Sequence, residues 1–542
     1  MNPGASPNLI LTGFMATGKT IVGREVARRL GRRFVDMDAE IEARADKSVP
    51  RIFVQDGEAA FRRMEAVLCR ELSAQTGLVI ATGGGAMVDP ANRTVMMQGG
   101  TVVCLTCDGD EILQRVSEGN EDRPLLQVAD PGAEIERLQA ARHEAYAAIP
   151  WQVDTTALSP DQVADRVIQF AHVVTLPVRH PEGEYPIHVG DGLLAHVGGA
   201  LRAAGAPEGS RVAVVSNPVV AQLYGPQVEA ALRSAGFLPF ACSIPDGEPH
   251  KTLATVAALY DQFLAAERSA PGLDRGGTVL SLGGGVTGDI AGFAAASFMR
   301  GVRFVQVPTT LLAMTDASVG GKVGVDLPQG KNLVGAFKQP AAVGMDPLVL
   351  ATLPEEEVRS GMAEVIKHGI IGAPDLLAEL EAATPNARYP ISTSLLAQSL
   401  QVKIQVVESD PYEQGHRAVL NLGHTVGHGL ERLSDFSLRH GEAVAIGMVA
   451  ASRIARELGR ADRSLSDRIE AILRAWGLPV RCPPYDAGAI WEAMTHDKKR
   501  RGRTLRWVLP HAIGHVEIVE DVPPAVVKSV LRDLGAQGSN AA

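Results

Sequence analysis

Between Asn8 and about residue 172, short apolar runs alternate with longer stretches whose apolar residues recur at helical spacing. Asn8–Phe14, Arg33–Asp36, Leu78–Ala81, Thr101–Thr106 and Trp151–Asp154 read as strands. Lys19–Leu30, Glu58–Leu72 and Ala133–Ala148 read as helices between them, and Ser159 caps a last helix over Pro160–Ala171. Nearly continuous apolar strands separated by helices imply a parallel sheet covered on both faces. The stretch Leu176-Pro-Val-Arg-His-Pro-Glu-Gly-Glu-Tyr-Pro186 breaks the alternation with three prolines, so a linker is expected over 173–186. From 187 to 346 a second alternation follows, with strands at Arg211–Ser216, Phe237–Ile244, Thr278–Leu282 and Arg303–Val307. After 347 the strand signals fade, and Glu355–Ile371, Thr393–Val407 and Leu465–Trp476 read as amphipathic helices. A strand-like pair near Thr504–Leu509 and His515–Val519 interrupts them. The pattern predicts an α/β protein in three parts: a parallel-sheet domain over 1–172, a second α/β domain over 187–346, and a mainly helical domain over 347–542.

At 542 residues the chain exceeds what one hydrophobic core supports, which agrees with that division. Its formal net charge of −10, with a single basic run at Lys498-Lys499-Arg500-Arg501-Gly502-Arg503, argues against a nucleic-acid partner, since counterion release needs a broad basic surface. Anionic substrates would have to be held by local clusters of cations. No apolar run is long enough to span a bilayer, and Met1-Asn-Pro-Gly-Ala-Ser-Pro lacks the basic start of a signal peptide. The five cysteines are scattered and odd in number; Cys104 and Cys107 form a CxxC, but inside an apolar run that reads as a buried strand. A reducing cytoplasm is the expected compartment.

The first domain carries Gly13-Phe-Met-Ala-Thr-Gly18-Lys19-Thr20 between a strand and a helix, which fits a phosphate-binding loop. Backbone amides at the helix start would cradle nucleotide phosphates, with Lys19 on the outer phosphates and Thr20 on magnesium. The loop alone leaves a small-molecule kinase and a nucleotide-driven switch equally open. Asp36 and Asp38, two apart at the end of a strand, would point to one side, Asp36 towards magnesium and Asp38 towards a substrate hydroxyl. Phe61-Arg62-Arg63-Met64-Glu65 lies on a helix, Thr82-Gly83-Gly84-Gly85 follows a strand, Asn120-Glu-Asp-Arg123-Pro-Leu-Leu126 fits a lid bearing a cation, and Arg142 lies on the next helix. In this order the motifs resemble the shikimate kinase family along the whole domain. The resemblance implies phosphorylation of shikimate by ATP with Mg2+. By position, Asp38, Arg62, Gly83, Gly84, Gly85 and Arg142 would hold shikimate, and Asp38 would help remove the hydroxyl proton. Lys19 and Arg123 would steady the transferring phosphoryl group, and Arg115 would stack on adenine. Ala16 departs from the family, which often has Gly there.

Further on, Arg417-Ala-Val-Leu-Asn421-Leu-Gly-His424-Thr-Val-Gly-His428-Gly-Leu-Glu431 is followed by His440. A lone histidine would more often line a core, but three within seventeen residues, set among glycines, favour a metal site. His424 and His428 are one helical turn apart, and Arg417 could hold an anion beside the metal. Gly283-Gly284-Gly285-Val286-Thr287-Gly288-Asp289 follows a strand in the G-x-G-x-x-G pattern, although no acid lies about twenty residues on, as a dinucleotide fingerprint would want. With Pro245-Asp-Gly-Glu248-Pro-His-Lys251, Pro308-Thr309-Thr310, Asp316, Lys322, Gly330-Lys331-Asn332 and Arg359-Ser-Gly-Met-Ala-Glu364-Val-Ile-Lys367-His-Gly369, these motifs resemble 3-dehydroquinate synthase from about residue 185 to the C-terminus.

That resemblance implies Zn2+ (or Co2+) on Glu364, His424 and His440, which replaces the pairing of His424 with His428 suggested by spacing. It places NAD on Glu248, Lys251, Gly284, Gly285, Asp289, Thr309, Thr310 and Lys331. It places 3-deoxy-D-arabino-heptulosonate 7-phosphate on Asp316, Lys322, Asn332, Lys367, Lys403, Arg417, Asn421 and Lys498, with His428 contacting substrate and taking part in proton movement. Lys322, Lys367 and Arg417 would share in catalysis. The implied reaction oxidises the C5 hydroxyl, eliminates phosphate, returns the hydride and closes the carbocycle by an aldol step; a homodimer is expected with it. Asp326 departs from the Gly-Val-Asn pattern of the family. Two other readings of the second half stay open here: a sister sugar-phosphate cyclase and a metal- and NAD-dependent polyol dehydrogenase. A non-enzymatic P-loop switch joined to a binding module would turn over neither substrate.

Overall fold

The computed structural model describes residues 7–118, 128, 130–265, 272–383, 391–435, 437–499 and 505–538. Contacts divide the chain into two compact units, one of Met1–Thr175, His188–Ser210 and Gln227–Leu238, the other of Leu176–Ile187, Arg211–Pro226 and Pro239–Ala542.

In the first unit, β1 (Asn8–Gly13), β2 (Arg33–Asp36), β3 (Leu78–Ala81), β4 (Gly100–Thr106) and β5 (Trp151–Asp154) form a parallel sheet in the order β2-β3-β1-β4-β5. Every residue of β1 and β3 is buried, as expected of strands covered on both faces. Helix α1 (Lys19–Leu30) lays Val22, Val26 and Ala27 against Leu9, Leu11 and Val79. Helix α2 spans Met37–Ala45, and α3 (Glu58–Ser73) packs Phe61, Leu68, Cys69 and Leu72 with Ile10, Ile80 and Met96 in a separate cluster. Helix α4 spans Pro131–Ala147. Burying each large aliphatic side chain contributes about 2 kcal/mol, and the two clusters fix the sheet between helical layers. Cys104 and Cys107 are buried and free.

His188 shares this unit. Its ring stands edge-on to Trp151 with centroids 5.0 Å apart, its Nδ1 lies 2.9 Å from Thr175 Oγ1, and its Nε2 has no partner. Full burial disfavours the imidazolium and lowers its pKa from 6.5 to about 4. The unfolded chain therefore takes up this proton before the folded chain does, so the stability contributed above pH 6.5 is lost as pH falls through 4. A shift of that size corresponds to about 3 kcal/mol. Urea unfolding between pH 7 and 4 should show a steeper loss of stability in the wild-type chain than in His188→Leu; equal slopes would show that His188 does not titrate this way.

The second unit is built around a seven-stranded sheet. Its strands are β6 (Val174–His180), β7 (Gly183–Val189), β8 (Arg211–Ser216), β9 (Leu238–Ser243), β10 (Thr278–Gly283), β11 (Arg303–Pro308) and β14 (Ala342–Met345). Their order is β6-β7-β14-β11-β10-β8-β9. The linker expected over 173–186 is thus corrected: most of it forms β6 and β7. Leu176, Val178, Tyr185 and Ile187 are buried in a period-two pattern that the prolines masked, and Pro177 is tolerated because β6 is the edge strand. Two strands not foreseen, β12 (Lys322–Leu327) and β13 (Gly330–Phe337), pair as an antiparallel ribbon with a register shift between Val325 and Leu327.

Helix α5 (Gly285–Ser297) starts at the glycine turn after β10. The helical part contains α6 (Glu355–Gly372), α7 (Thr393–Ser409), α8 (His424–Leu433), α9 (His440–Glu457) and α10 (Ala487–Lys499), with β15 (Trp507–Ala512) and β16 (His515–Val519) as a late hairpin. Among the described residues no helix is long and apolar enough to cross a membrane.

Candidate functional site

Two groups of residues gather, one in each unit. In the first, the loop between β1 and α1 is shaped by its glycines. A Cβ on Gly13 would stand 2.2 Å from the Leu105 carbonyl oxygen, and Gly18 holds φ 90° as the cap of α1. Lys19 Nζ arches back to donate to the carbonyls of Gly13 (3.1 Å) and Phe14 (2.8 Å). The Thr20 hydroxyl donates to Asp36 Oδ2 at 2.7 Å, so both groups that would serve magnesium are adjacent. Ala16 takes φ 61°, the left-handed region that a Cβ disfavours by about 1 kcal/mol, which is why Gly is the usual occupant.

The spacing argument for Asp36 and Asp38 needs correction. The strand ends at Asp36, whose Oδ1 accepts from the Asp38 and Ala39 amides and so caps α2; Asp38 belongs to the helix. Asp38 still reaches the triple glycine. A Cβ on Gly83 would lie 2.7 Å from Asp38 Oδ1 and 2.8 Å from Glu65 Oε1, and one on Gly85 would lie 2.3 Å from Arg62 Nη1. Arg142 Nη1 donates to the Gly84 carbonyl at 3.1 Å. Asp38, Arg62, Arg142 and the three glycines therefore gather in one place, the glycines letting these side chains approach the backbone closely. Burial and the neighbouring Asp36 raise the Asp38 pKa against the pull of Lys19, which suits a group that accepts a proton.

Glu65, which sequence reasoning passed over, is buried between Asp38 and Arg62 and pairs with Arg62 at 2.7 Å; its position three after Arg62 was the available signal. Arg115 donates to the Ala16 and Thr155 carbonyls, so it braces the phosphate loop. Arg123 and its segment 120–126 lie outside the described residues.

In the second unit the metal-type ligands converge. His424 Nε2 and His440 Nε2 lie 3.9 and 3.7 Å from Glu364 Oε1. The other ring nitrogens are engaged: His424 Nδ1 lies 3.2 Å from the Leu422 carbonyl, and His440 Nδ1 lies 3.1 Å from Glu431 Oε1. Acceptors behind both rings leave Nε2 facing the carboxylate, as in metal sites whose histidines are oriented from behind. The fully buried Glu364 pairs with Lys367 through Oε2, while its Oε1, facing the two imidazoles, lacks a hydrogen-bond partner. A carboxylate oxygen left free between two imidazoles is suited to a divalent cation. Burial opposes charge on Glu364, but Lys367 and the histidines hold its pKa well below the usual range. Burial likewise disfavours the imidazolium of His440, yet Glu364 and Glu431 raise its pKa to about 10. Positive charge is strongly favoured at that point. His428 belongs to the same cluster, its ring 5.2 Å from that of His424.

Cations and polar groups surround the cluster. Lys403, buried on α7, pairs with Asp316, and its charge keeps Asp316 ionised against burial. Asp316 lies in a single π-turn, Ala313–Ala317, a backbone irregularity that often marks functional sites and that no residue pattern announces. Arg417 is buried, donates to the Pro411 carbonyl at 2.8 Å, and crowds Gly320, whose Cβ would stand 2.2 Å from it. Asp410, also passed over, accepts from the amides of Gln414, Gly415 and Arg417 and so shapes the loop that carries this arginine. Lys322 pairs with Glu413. Asn421 ends the turn before His424, and Lys498 lies on α10 with its side chain outside the described residues.

At the glycine turn, a Cβ on Gly284 would come 3.1 Å from Thr310, and one on Gly285 would come 3.3 Å from Ala317. Thr309 N–H donates to the Gly283 carbonyl at 3.0 Å. The first amides of a helix have no partner within it, so the glycine turn at the start of α5, which has no side-chain cap, suits a pyrophosphate and fits a dinucleotide. Lys331 pairs with Glu248 at 3.1 Å and Lys251 with Asp289 at 2.6 Å beside it. Burial pushes the Asp289 pKa up to about 6, against the pull of Lys251.

Comparison with known proteins separates the chain in the same sequence order. Residues 15–172 match the family model of shikimate kinase, 241–360 that of the 3-dehydroquinate synthase N-terminal part, and 361–500 that of its C-terminal part. A 3-dehydroquinate synthase of Synechocystis sp. is 48% identical over 364 residues, covering 66% of this chain and 99% of the relative. One from Synechococcus sp. is 46% identical over 367 residues, covering 66% and 98%. Among solved structures, a 2-epi-5-epi-valiolone synthase from Streptomyces hygroscopicus, with NAD+ and Zn2+ bound, is 30% identical with a TM-score of 0.57, covering 66% of this chain and 98% of that one.

Proposed function

We propose, for a chain that belongs to the 3-dehydroquinate synthase family and carries a shikimate kinase domain ahead of that portion, that it is a bifunctional enzyme of the shikimate pathway. The kinase part, assigned to 1–172, phosphorylates shikimate with ATP. The synthase part converts 3-deoxy-D-arabino-heptulosonate 7-phosphate to 3-dehydroquinate with loss of phosphate, using an NAD-binding domain over 187–346 and a metal and substrate domain over 347–542. The observation that carries the synthase assignment is the unpartnered Glu364 Oε1 facing the Nε2 atoms of His424 and His440, in a chain 48% identical to a 3-dehydroquinate synthase along nearly all of that relative. The lower identity, 30%, to a sister cyclase supports the choice of substrate.

When bound, Zn2+ supplies Lewis acidity and a template for hydroxyl oxygens, NAD supplies transient hydride storage, and Mg2+ neutralises phosphate charge. Glu364, His424 and His440 hold the metal, and Glu248, Lys251, Gly284, Gly285, Asp289, Thr309, Thr310 and Lys331 hold NAD. Lys367, Lys403 and Arg417 attract the phosphate and carboxylate of the substrate, which explains how a chain of net charge −10 takes a multiply charged anion. Asp316, Lys322, Asn332, Asn421 and Lys498 complete its binding, and His428 carries protons. In the kinase, Arg62 and Arg142 hold the shikimate carboxylate over Gly83, Gly84 and Gly85, while Asp38 orients the hydroxyl and accepts its proton. Thr20 and Asp36 hold magnesium, and Lys19 with Arg123 lies along the phosphates. The free, buried cysteines support a reducing cytoplasm as its location, and family resemblance supports a homodimer.

Purified chain should release phosphate and form 3-dehydroquinate with NAD and Zn2+, and should separately phosphorylate shikimate with MgATP. Chelation by EDTA with Mg2+ restored should stop the first reaction and spare the second. Protein holding zinc and NAD that leaves the heptulosonate phosphate untouched while turning over another sugar phosphate would overturn the synthase assignment.

A further inference from the structure

Asp326 replaces the asparagine usual in its family, and the structure gives it a definite set of partners. It sits at the register shift of the β12–β13 ribbon, where Val325 pairs with Val334 and Leu327 pairs with Gly330. Bulges of this kind re-aim side chains next to sites. Its N–H donates to the Lys251 carbonyl at 2.8 Å. Its Oδ1 accepts from the Asn332 N–H at 2.7 Å. Asn332 Oδ1 in turn accepts from Lys251 Nζ at 2.5 Å, which closes a ring through three residues. Lys251 Nζ also pairs with Asp289 Oδ2 at 2.6 Å. Asn332 holds φ 55°, a left-handed backbone that a bond to its amide would help to fix.

We propose that Asp326 is a positioning residue for the synthase reaction: by closing this ring it holds Lys251, on the dinucleotide side, and Asn332, on the sugar-phosphate side, in a single arrangement. The proposal rests on the reading of the second unit given above. Lys251 is buried, and a buried ammonium keeps its place only when its donors are satisfied. Without the Asp326 carboxylate the Asn332 amide loses its acceptor, the left-handed turn loses its latch, and the Asn332 carbonyl drifts from Lys251. The ring needs an acceptor oxygen at the end of a short side chain, and either a carboxylate or an amide supplies one. The same geometry is therefore open to the family's asparagine, and the aspartate adds a negative charge near Lys251 without changing the bonds.

The test uses the full chain loaded with Zn2+ and reads NAD affinity, kcat, KM for the heptulosonate phosphate, and Tm. Asp326→Ala should weaken NAD binding about tenfold and lower kcat/KM by a similar or larger factor, since the loss of one hydrogen bond to a charged group is of that order. Asp326→Asn should stay within about threefold of wild type, because it keeps the acceptor. A lower Tm with unchanged NAD affinity and kcat/KM in Asp326→Ala would reduce the residue to a structural role and overturn the proposal. An asparagine variant as impaired as the alanine variant would also overturn it, by showing that charge, not the ring, matters. Should Asp326→Ala fail to fold, Asn332→Gly keeps the left-handed backbone and lacks Oδ1; its NAD affinity should fall about tenfold, and an unchanged value counts against the ring. Wild-type chain that binds NAD but forms no dehydroquinate would sink the assigned reaction while the ring is still decided by NAD affinity.

Discussion

His440→Ala should abolish dehydroquinate formation and lower zinc affinity by about three orders of magnitude, while shikimate phosphorylation continues at the wild-type rate. The size follows from removing one of the three proposed protein ligands, in a site where the histidines are held from behind. His440 is fixed from behind by Glu431 at 3.1 Å and faces Glu364 at 3.7 Å, and the ring nitrogens of His424, His428 and His440 lie within 4.8 Å of one another. His428 is the one candidate for rescue, with its ring 6.3 Å from that of His440, and partial zinc retention would identify it as a substitute. His440 is a cleaner choice than Glu364. Glu364 is fully buried against Lys367, and neutralising it would strand a buried ammonium at a cost of about 3–5 kcal/mol, enough to confuse lost catalysis with lost folding. His440 keeps roughly a quarter of its side chain exposed, at 27%, so its truncation leaves water where the imidazole was. Zinc measured by competition with a chromophoric chelator and phosphate release measured on the same sample separate the outcomes. Wild-type zinc content in His440→Ala would remove this residue from the ligand set.

The strands and helices with strong periodicity were legible in the chain itself, because burial on both faces makes runs such as Leu9-Ile10-Leu11 apolar and because Lys19–Leu30 carries its apolar stripe at helical spacing. Elements with weak apolar content were not. In the ribbon, β13 is largely exposed, β12 is short, and the two contain Gly324, Gly330 and Gly335, so composition did not announce it. Prolines 177, 181 and 186 hid β6 and β7, since an edge strand tolerates what a central one would not. At the sites, spacing alone pointed to three histidines, whereas the carboxylate facing two of them comes from Glu364, sixty residues earlier and on another helix. Long-range convergence of that kind has no local signature; the motif order carried it. Groups that act by holding others, such as Glu65, Asp410 and Glu431, were quoted or passed over without a role, because an acid three, seven or nine residues from its partner looks like any solvated surface group until its contacts are known.

Lys19→Met should lower shikimate phosphorylation about a thousandfold with little change in stability and none in dehydroquinate formation. Phosphoryl transfer depends on positioning and on charge placed where the transition state develops it, and Lys19 is the cation that the loop itself carries. Its Nζ spans the loop to the Gly13 and Phe14 carbonyls at 3.1 and 2.8 Å, so it already lies across the place where phosphates would enter, at the start of α1. Methionine keeps roughly the length of the side chain and its packing but removes the charge and the donors, so a loss of rate reports on the ammonium group. The backbone cradle remains: Gly13 is kept by its closeness to Leu105, and Gly18 by its left-handed φ. ATP should therefore bind only about tenfold more weakly even as kcat collapses, because the ground state shares many amide contacts and the transition state leans on the lysine. A comparable fall in ATP affinity and in kcat/KM with kcat unchanged would place Lys19 in uniform binding instead. Asp38→Asn gives the complementary view. It leaves the phosphates alone and removes the proposed proton acceptor, so ATP affinity should be untouched while the rate drops and loses its dependence on the raised carboxyl pKa along the acid limb of the pH profile.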